Sequence, residues 1–368
     1  MNIDKKFINK ILEESIKIQQ IAAPTFHEKK RAEYVKQSFL ESGLEDVSID
    51  SANNVYSCRS GCNGEAILVS AHLDTVFPIE TDLTVKNDNS RIYGPGILDN
   101  SIAVASLIGL QKILNKHNIA LPGDLFIVAN SCEEGLGDLK GIKKVMDKLK
   151  NKVSKVIVLE GGNSDMLTYK GVCSRRYKIS VKSPGGHGWE NFGRESAIHL
   201  LIKLGEKLTR LNLSKIPKTT FNIGIIEGGL SVNGIAENAS MSLELRSDSQ
   251  PALNDLIKQV ENIFSSFASD NSTLSFEITG NRSSGELKPN DPLLIIAKKI
   301  YKDFCIEPDL APASTDANLP LSLGIPSICI GLTNGDNVHT VNEYMETEPF
   351  YTGFRKFVQL ILNLYNVK

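Results

Sequence analysis

Tryptophan is almost missing from this chain, with one in 368 residues, and aromatic residues make up only 7%. An excess of either charge is missing too: 41 Lys and Arg face 43 Asp and Glu, a formal net charge of −2. Without a basic excess there is no electrostatic footprint for a phosphate backbone or an anionic bilayer, so neither nucleic acid nor membrane is expected as a partner. Apolar runs are short, and none reads as the roughly 20 residues that cross a bilayer. The opening stretch MNIDKKFINKILEESIKIQQ mixes charges throughout and has neither the apolar segment nor the small-residue cleavage site of a secretory signal, which predicts a cytoplasmic protein. Cysteines are few and scattered, at 58, 62, 132, 173, 305 and 329. Only Cys58 and Cys62 lie close, with no second ligand pair beside them, so a zinc finger is excluded and free thiols are expected.

What remains is an ordinary globular composition, 41% hydrophobic and 23% charged, of a length that suggests two domains at about 150 residues each. Helical patterns cover 4–20 and 28–43. Thr25-Phe26-His27-Glu28 reads as a capping box for the second of these, giving His27 a capping role. His27-Glu28 also begins like a zincin HExxH helix, but Arg31 stands where the second histidine must be. Then AILVSAH at 66–72, DLFIVANS at 124–131, KVIVLE at 155–160 and a run at 326–331 alternate with helical stretches at 101–117, 138–150, 291–303 and 347–365. Runs apolar on both faces and joined by helices predict a three-layer α/β domain with a mostly parallel sheet, which binds ligands beyond the carboxyl ends of its strands. From 174 the pattern becomes strand, helix, strand, strand, helix (251–268), strand. This βαββαβ unit can close its own sheet. The predicted organisation is a discontinuous domain, 1–173 and 283–368, with an α+β domain of 174–282 inserted in it.

Chemistry-bearing residues gather at the predicted strand ends. His72 and Asp74 fall on one side of an extended segment. Gly94-Pro95-Gly96-Ile97-Leu98-Asp99-Asn100 is a tightly turned loop that delivers a carboxylate. Cys132-Glu133-Glu134-Gly135 puts two adjacent carboxylates after a buried strand, Glu160 closes another, and His339 to Glu343 follows the last. Each feature alone has a structural explanation: an N-cap for Asp99, a solvated acidic turn for the Glu pair. Their conjunction on the ligand-binding face suits a pair of zinc ions held by two histidines and three carboxylates, with a water left to activate.

These segments, together with GGHG at 185–188, GGLSVNGIA at 228–236, LRS at 245–247 and STDANLP at 314–320, resemble in order and spacing metallopeptidase family twenty, the aminoacylase, glutamate carboxypeptidase and peptidase T group of di-zinc hydrolases. The resemblance covers almost the whole chain. It implies a zinc-exopeptidase-like catalytic domain with an inserted ferredoxin-like lid and dimerisation domain, a homodimer formed through that lid, and two zinc ions per subunit, with cobalt or manganese as alternatives. It implies further that Asp99 bridges both metals, that His72 and Glu160 complete one site, and that Glu134 and His339 complete the other. Glu133 is then the general base, Asp74 fixes the His72 tautomer, His187 reaches the active site of the neighbouring subunit and stabilises the oxyanion there, and Arg246 with Asn233 clamps a substrate carboxylate. A cis Asp99–Asn100 peptide bond is implied as well.

Three positions depart from the family pattern: Asn100 where an acidic residue is common, Glu160 where aminopeptidase-type relatives often have Asp, and Gly188 where Ser is usual. The start PTFHE, the segment SRRY and STDANLP look most like tripeptidase-like members. The expected substrate is therefore a short peptide cleaved by an exopeptidase. An N-acyl amino acid deacylase or carboxypeptidase is the alternative within the family, and a catalytically silent peptide-binding scaffold is the alternative outside enzymes.

Overall fold

The computed structural model describes residues 3–267 and 271–367, and the chain divides into two compact units: Met1–Gly171 with Gly285–Lys368, and Val172–Ser284. In the first unit a seven-stranded sheet runs in the order Glu45–Ile49, Val55–Arg59, Gly123–Asn130, Gly64–His72, Val153–Glu160, Ser327–Gly331, Leu167–Thr168. The strands Gly123–Asn130, Gly64–His72, Val153–Glu160 and Ser327–Gly331 are mutually parallel. Ile67 to His72 are buried without alternation, the signature of a strand covered on both faces. Parallel strands all end on one side, so His72 pairs with Asn130, and Glu160 with Gly331, along a single edge of the sheet.

The stretch Ile97–Lys116 is apolar and long enough to cross a membrane, which corrects the expectation that no run reaches that length. It is a core helix instead: 89% of its apolar window is buried, and Ile102–Lys116 packs on Gly64–His72 and on the helix Lys5–Gln19. The helix Lys29–Glu41 has Glu28 as its N-cap, without a side-chain capping bond. Thr25 to Glu28 therefore form no capping box, and His27, exposed ahead of the helix, is not its cap. A small antiparallel sheet of Lys86–Asn87, Arg91–Tyr93, Tyr344–Glu346 and Gly335–Asp336 is not legible as strands in the sequence. Its pairing of Tyr344 with Tyr93 and Met345 with Ile92 ties the approach to Asp99 to the segment that carries His339 and Glu343.

The second unit is a four-stranded antiparallel sheet in the order Thr219–Gly228, Asn238–Ser247, Cys173–Lys182, Thr273–Arg282. With chain order βαββαβ, this is the ferredoxin-like arrangement. Tyr177, Ile179, Met241, Leu243 and Leu245 face Leu201, Leu204, Leu253 and Phe264 of the helices Ala197–Thr209 and Gln250–Ser265. Residue 268, the expected end of the second helix, lies outside the described residues. All six cysteines are free thiols.

One buried lysine ties the loop beyond Glu160 to the last parallel strand. Lys356, 1% exposed, donates to the carbonyls of Ser164 and Gly331, and its ammonium lies 3.8 Å from the Tyr301 ring centre. Burial lowers its pKa to about 7. Between that value and the ordinary 10.5, the unfolded chain binds a proton that the folded chain does not, so this group makes stability rise with pH across that window. Denaturant titrations should therefore show the wild-type minus Lys356→Met stability difference increasing from pH 7 to pH 10, and a flat difference would refute the assignment.

Candidate active site

Four loops at the carboxyl edge of the parallel sheet bring the predicted ligands of the first unit together. Asp99 lies at their centre. Its Oδ1 is 3.0 Å from His72 Nε2, and its Oδ2 is 3.0 Å from His339 Nε2. Each ring has a further carboxylate: Glu160 Oε2 is 3.5 Å from His72 Nε2, and Glu134 Oε1 is 3.0 Å from His339 Nε2. Donor atoms of His72, Asp99 and Glu134 all lie within 4.8 Å of one another.

Electrostatics follow from this interleaving. Burial alone would lower the pKa of His72, but the nearby carboxylates of Glu160, Asp74 and Asp99 raise it well above the ordinary value. Hydrogen bonds to Asp99 and Glu134 push His339 up to about 10. Asp99 would be raised by burial, yet the two imidazoles hold it well below the usual carboxylate range. Burial dominates for Glu134 and Glu160, and both rise to about 7. A pocket that draws positive charge onto its imidazoles, with nitrogen and carboxylate donors in this number, fits divalent zinc, cobalt or manganese.

The residues behind the candidate ligands set their directions. His72 Nδ1 lies 3.0 Å from the Asp74 backbone carbonyl, which can only accept, so the proton sits on Nδ1 and Nε2 faces Asp99. The Asp74 carboxylate is 3.6 Å from the ring and serves the neighbouring loop instead. It accepts the N–H groups of Glu133 (2.9 Å) and Glu134 (3.0 Å) and the Thr25 hydroxyl (2.9 Å). The Asp99–Asn100 peptide bond is cis. Asn100 has a reason to be an amide: its Nδ2 donates to Leu159 O (2.9 Å) while its Oδ1 accepts from Gly161 N–H (3.0 Å), and a carboxylate could not do both. Gly161 permits that approach, since a Cβ there would lie 1.8 Å from Leu98 O.

A model of Peptidase family M20/M25/M40 matches residues 68–363. The chain belongs to that family. Its fold is similar to that of a tripeptidase from Staphylococcus aureus (TM-score 0.81, 20% identity, 98% of this chain and 99% of that one). It is also similar to aminopeptidase PepT from Bacillus cereus (TM-score 0.78, 19% identity, 96% and 98%). In sequence it is 22% identical to a succinyl-diaminopimelate desuccinylase from Rickettsia bellii, over 91% of this chain and 92% of the relative.

The remaining expected residues of this M20 chain lie in the second unit. His187 pairs with Gly234 in a two-residue ladder and is exposed. Its Nδ1 accepts the N–H groups of Trp189 (3.3 Å) and Glu190 (3.4 Å), so Nε2 carries the proton. Asn233 stands in the facing loop, and its carbonyl accepts Gly188 N–H at 2.8 Å. Arg246 is engaged within the sheet: Glu244 accepts from its Nε (2.7 Å) and Nη2 (3.0 Å) and also from Arg176 Nε (2.8 Å).

Glu343 closes the HTVNE motif, and nothing in the sequence pattern assigns it a task. Its buried carboxylate accepts the N–H groups of Gly96 (3.0 Å), Leu98 (2.8 Å) and Asp99 (3.0 Å), and so supports the whole Asp99 loop. Glu343→Ala removes all three acceptors. It should weaken zinc binding by about 10- to 100-fold in competition with a chromophoric chelator, the usual cost of losing a group that orients a ligand; unchanged affinity would show that the loop holds itself.

Proposed function

We propose that this M20 member is a metal-dependent exopeptidase for short peptides, with two zinc ions per subunit in its working state. The observation that carries this reading is the position of Asp99, whose two oxygens face different imidazoles, each with a carboxylate of its own. Such a carboxylate suits a bridge between two cations: His72 and Glu160 would hold one, and His339 and Glu134 the other. Bound there, zinc would polarise the scissile carbonyl and acidify an attacking water. Glu133, whose N–H is pinned by Asp74, takes a proton from that water and returns it to the leaving amine. His187, protonated at Nε2, is the proposed donor to the oxyanion developing in the site of the neighbouring subunit. Arg246 and Asn233 are the proposed contacts to a substrate carboxylate, which would have to displace Glu244 from the guanidinium.

The fold likeness to a tripeptidase and to PepT supports peptides over acyl amino acids. The likeness to a desuccinylase favours deacylation as the second reading, and Glu160, where aminopeptidase-type relatives often have Asp, leaves room for it. Side-chain preference has support from the first unit, where Val76, Leu136, Val338 and Val341 are apolar and exposed on the loops that carry Asp74, Glu134 and His339, and Phe26 is exposed in the segment between the first two helices. They suit a substrate with an apolar residue beside the scissile bond.

A homodimer through the second unit completes the reading. The strand Thr219–Gly228 lies at the edge of its sheet and exposes Ile225 and Ile226, an unpaired edge that a second copy can continue. Light scattering should give a dimer mass that falls to a monomer in Ile225→Lys/Ile226→Lys; a monomeric wild type would refute the dimer.

The activity test is mass-spectrometric cleavage of tripeptides X-Ala-Ala and Ala-X-Ala and of N-acyl amino acids by the zinc-loaded protein. Release of N-terminal residues is expected, with X = Leu or Phe favoured over Gly by about tenfold or more in kcat/KM. Glu133→Ala should lower kcat by about 10²- to 10⁴-fold. Turnover confined to acylated substrates would move the protein to the deacylase reading, and equal rates for Gly and Leu would remove the apolar preference.

A further inference from the structure

The family match begins at residue 68, yet the chain before it reaches the site. Residues 23–31 run alongside the loop that follows His72. Thr75 N–H donates to Ala23 O (2.9 Å), the Thr25 hydroxyl to Asp74 Oδ2 (2.9 Å), and Arg31 Nη1 to Leu73 O (2.8 Å). Within this segment Glu28 is fully buried, and burial of a carboxylate is costly unless hydrogen bonds compensate it. Its partners therefore show what it is for. One oxygen, Oε1, accepts the Phe26 N–H (2.9 Å), the Cys132 N–H (3.2 Å) and the Cys132 thiol (3.3 Å), while the other, Oε2, accepts from Asn53 Nδ2 at 3.5 Å.

Cys132 is the residue before the Glu133-Glu134 pair, and its backbone has φ +54°, a left-handed conformation that a non-glycine residue keeps only when its surroundings hold it. Asp74 takes the next two N–H groups, those of Glu133 and Glu134. Three successive N–H groups of this turn are thus held by two buried carboxylates, one from the loop after His72 and one from the segment that precedes the family match.

We propose that Glu28 is a positioning residue for Glu133 and Glu134: its Oε1 sets the direction in which the turn presents the base and the metal-facing carboxylate. The proposal rests on the reading of those two residues as base and metal ligand of an M20 site. Because Oε1 alone meets the turn, and the Asn53 amide facing Oε2 can rotate to present its own oxygen, the position needs an acceptor at that reach and not a charge. Glu28 also stands at the N-cap of Lys29–Glu41, where a purely helical role would depend on the negative charge.

Two substitutions separate these roles. Glu28→Gln keeps the oxygen and loses the charge. Glu28→Asp keeps the charge and a favourable N-cap residue but withdraws the oxygen by one C–C bond, about 1.5 Å. For Glu28→Gln, zinc affinity and kcat are expected within about threefold of wild type, whereas Glu28→Asp should weaken zinc binding in chelator competition and lower kcat by about 10- to 100-fold, with KM changing less. A Glu28→Gln defect as large as that of Glu28→Asp, or a Glu28→Asp protein that binds zinc and turns over like wild type, overturns the proposal. If wild type binds zinc but cleaves no amide, the functional reading falls, and the zinc titrations of the two variants still decide the role of Glu28.

Discussion

Three carboxylates that repel one another have to share one largely buried pocket, and the rest of the first unit answers that constraint. Asp99, Glu134 and Glu160 are kept together by two imidazoles placed between them, so that every ring nitrogen facing the pocket lies between two carboxylates. Charge balance is local: Asp99 stays ionised because both rings touch it, while Glu134 and Glu160 are pushed up to about 7 by burial. Divalent cations would relieve the same repulsion more completely, which is why this donor set fits them.

Around that pocket a second group of buried carboxylates does different work. Glu343, Asp74 and Glu28 accept backbone N–H groups from the loops that carry the inner residues. Each such contact converts a flexible loop into a fixed direction for one functional side chain. Asn100 does the same through an amide, because its two neighbours demand a donor and an acceptor at once. The site is therefore positioned by acceptors drawn from widely separated parts of the chain. Residue 28 holds 132, residue 74 holds 133 and 134, and residue 343 holds 96, 98 and 99.

The second unit is organised by a different rule. Its helices cover one face of the sheet, and a separate two-residue ladder carries His187, with Asn233 in the loop just before the facing strand. A hydrogen-bonded tautomer is fixed at His187 by backbone groups within three residues of it, so the donor at Nε2 is a local property of the loop. Arg246, by contrast, is held by a neighbour two residues along its own strand.

Much of this architecture is legible in the amino-acid sequence. Runs such as KVIVLE, apolar on both faces, suit strands in a covered parallel sheet, and such sheets gather their polar ends on one edge; hence the histidines and carboxylates at those ends can be read as one group, while the family resemblance singles out five of them as candidate ligands. The βαββαβ order of the insert likewise follows from periodicity alone. Other parts cannot be read, for identifiable reasons. The strands Arg91–Tyr93 and Tyr344–Glu346 are too short for any periodicity, and the apolar helix Ile97–Lys116 draws its meaning from what covers it. Thr25-Phe26-His27-Glu28 matches a local capping pattern, but both of its polar ends bond to loops distant in sequence. Which residues are candidate ligands is a matter of residue type and of strand order, which are written along the chain. The supports of those ligands are hydrogen bonds between side chains and backbone groups far apart in the chain, and no local pattern encodes a partner that only folding brings within 3 Å.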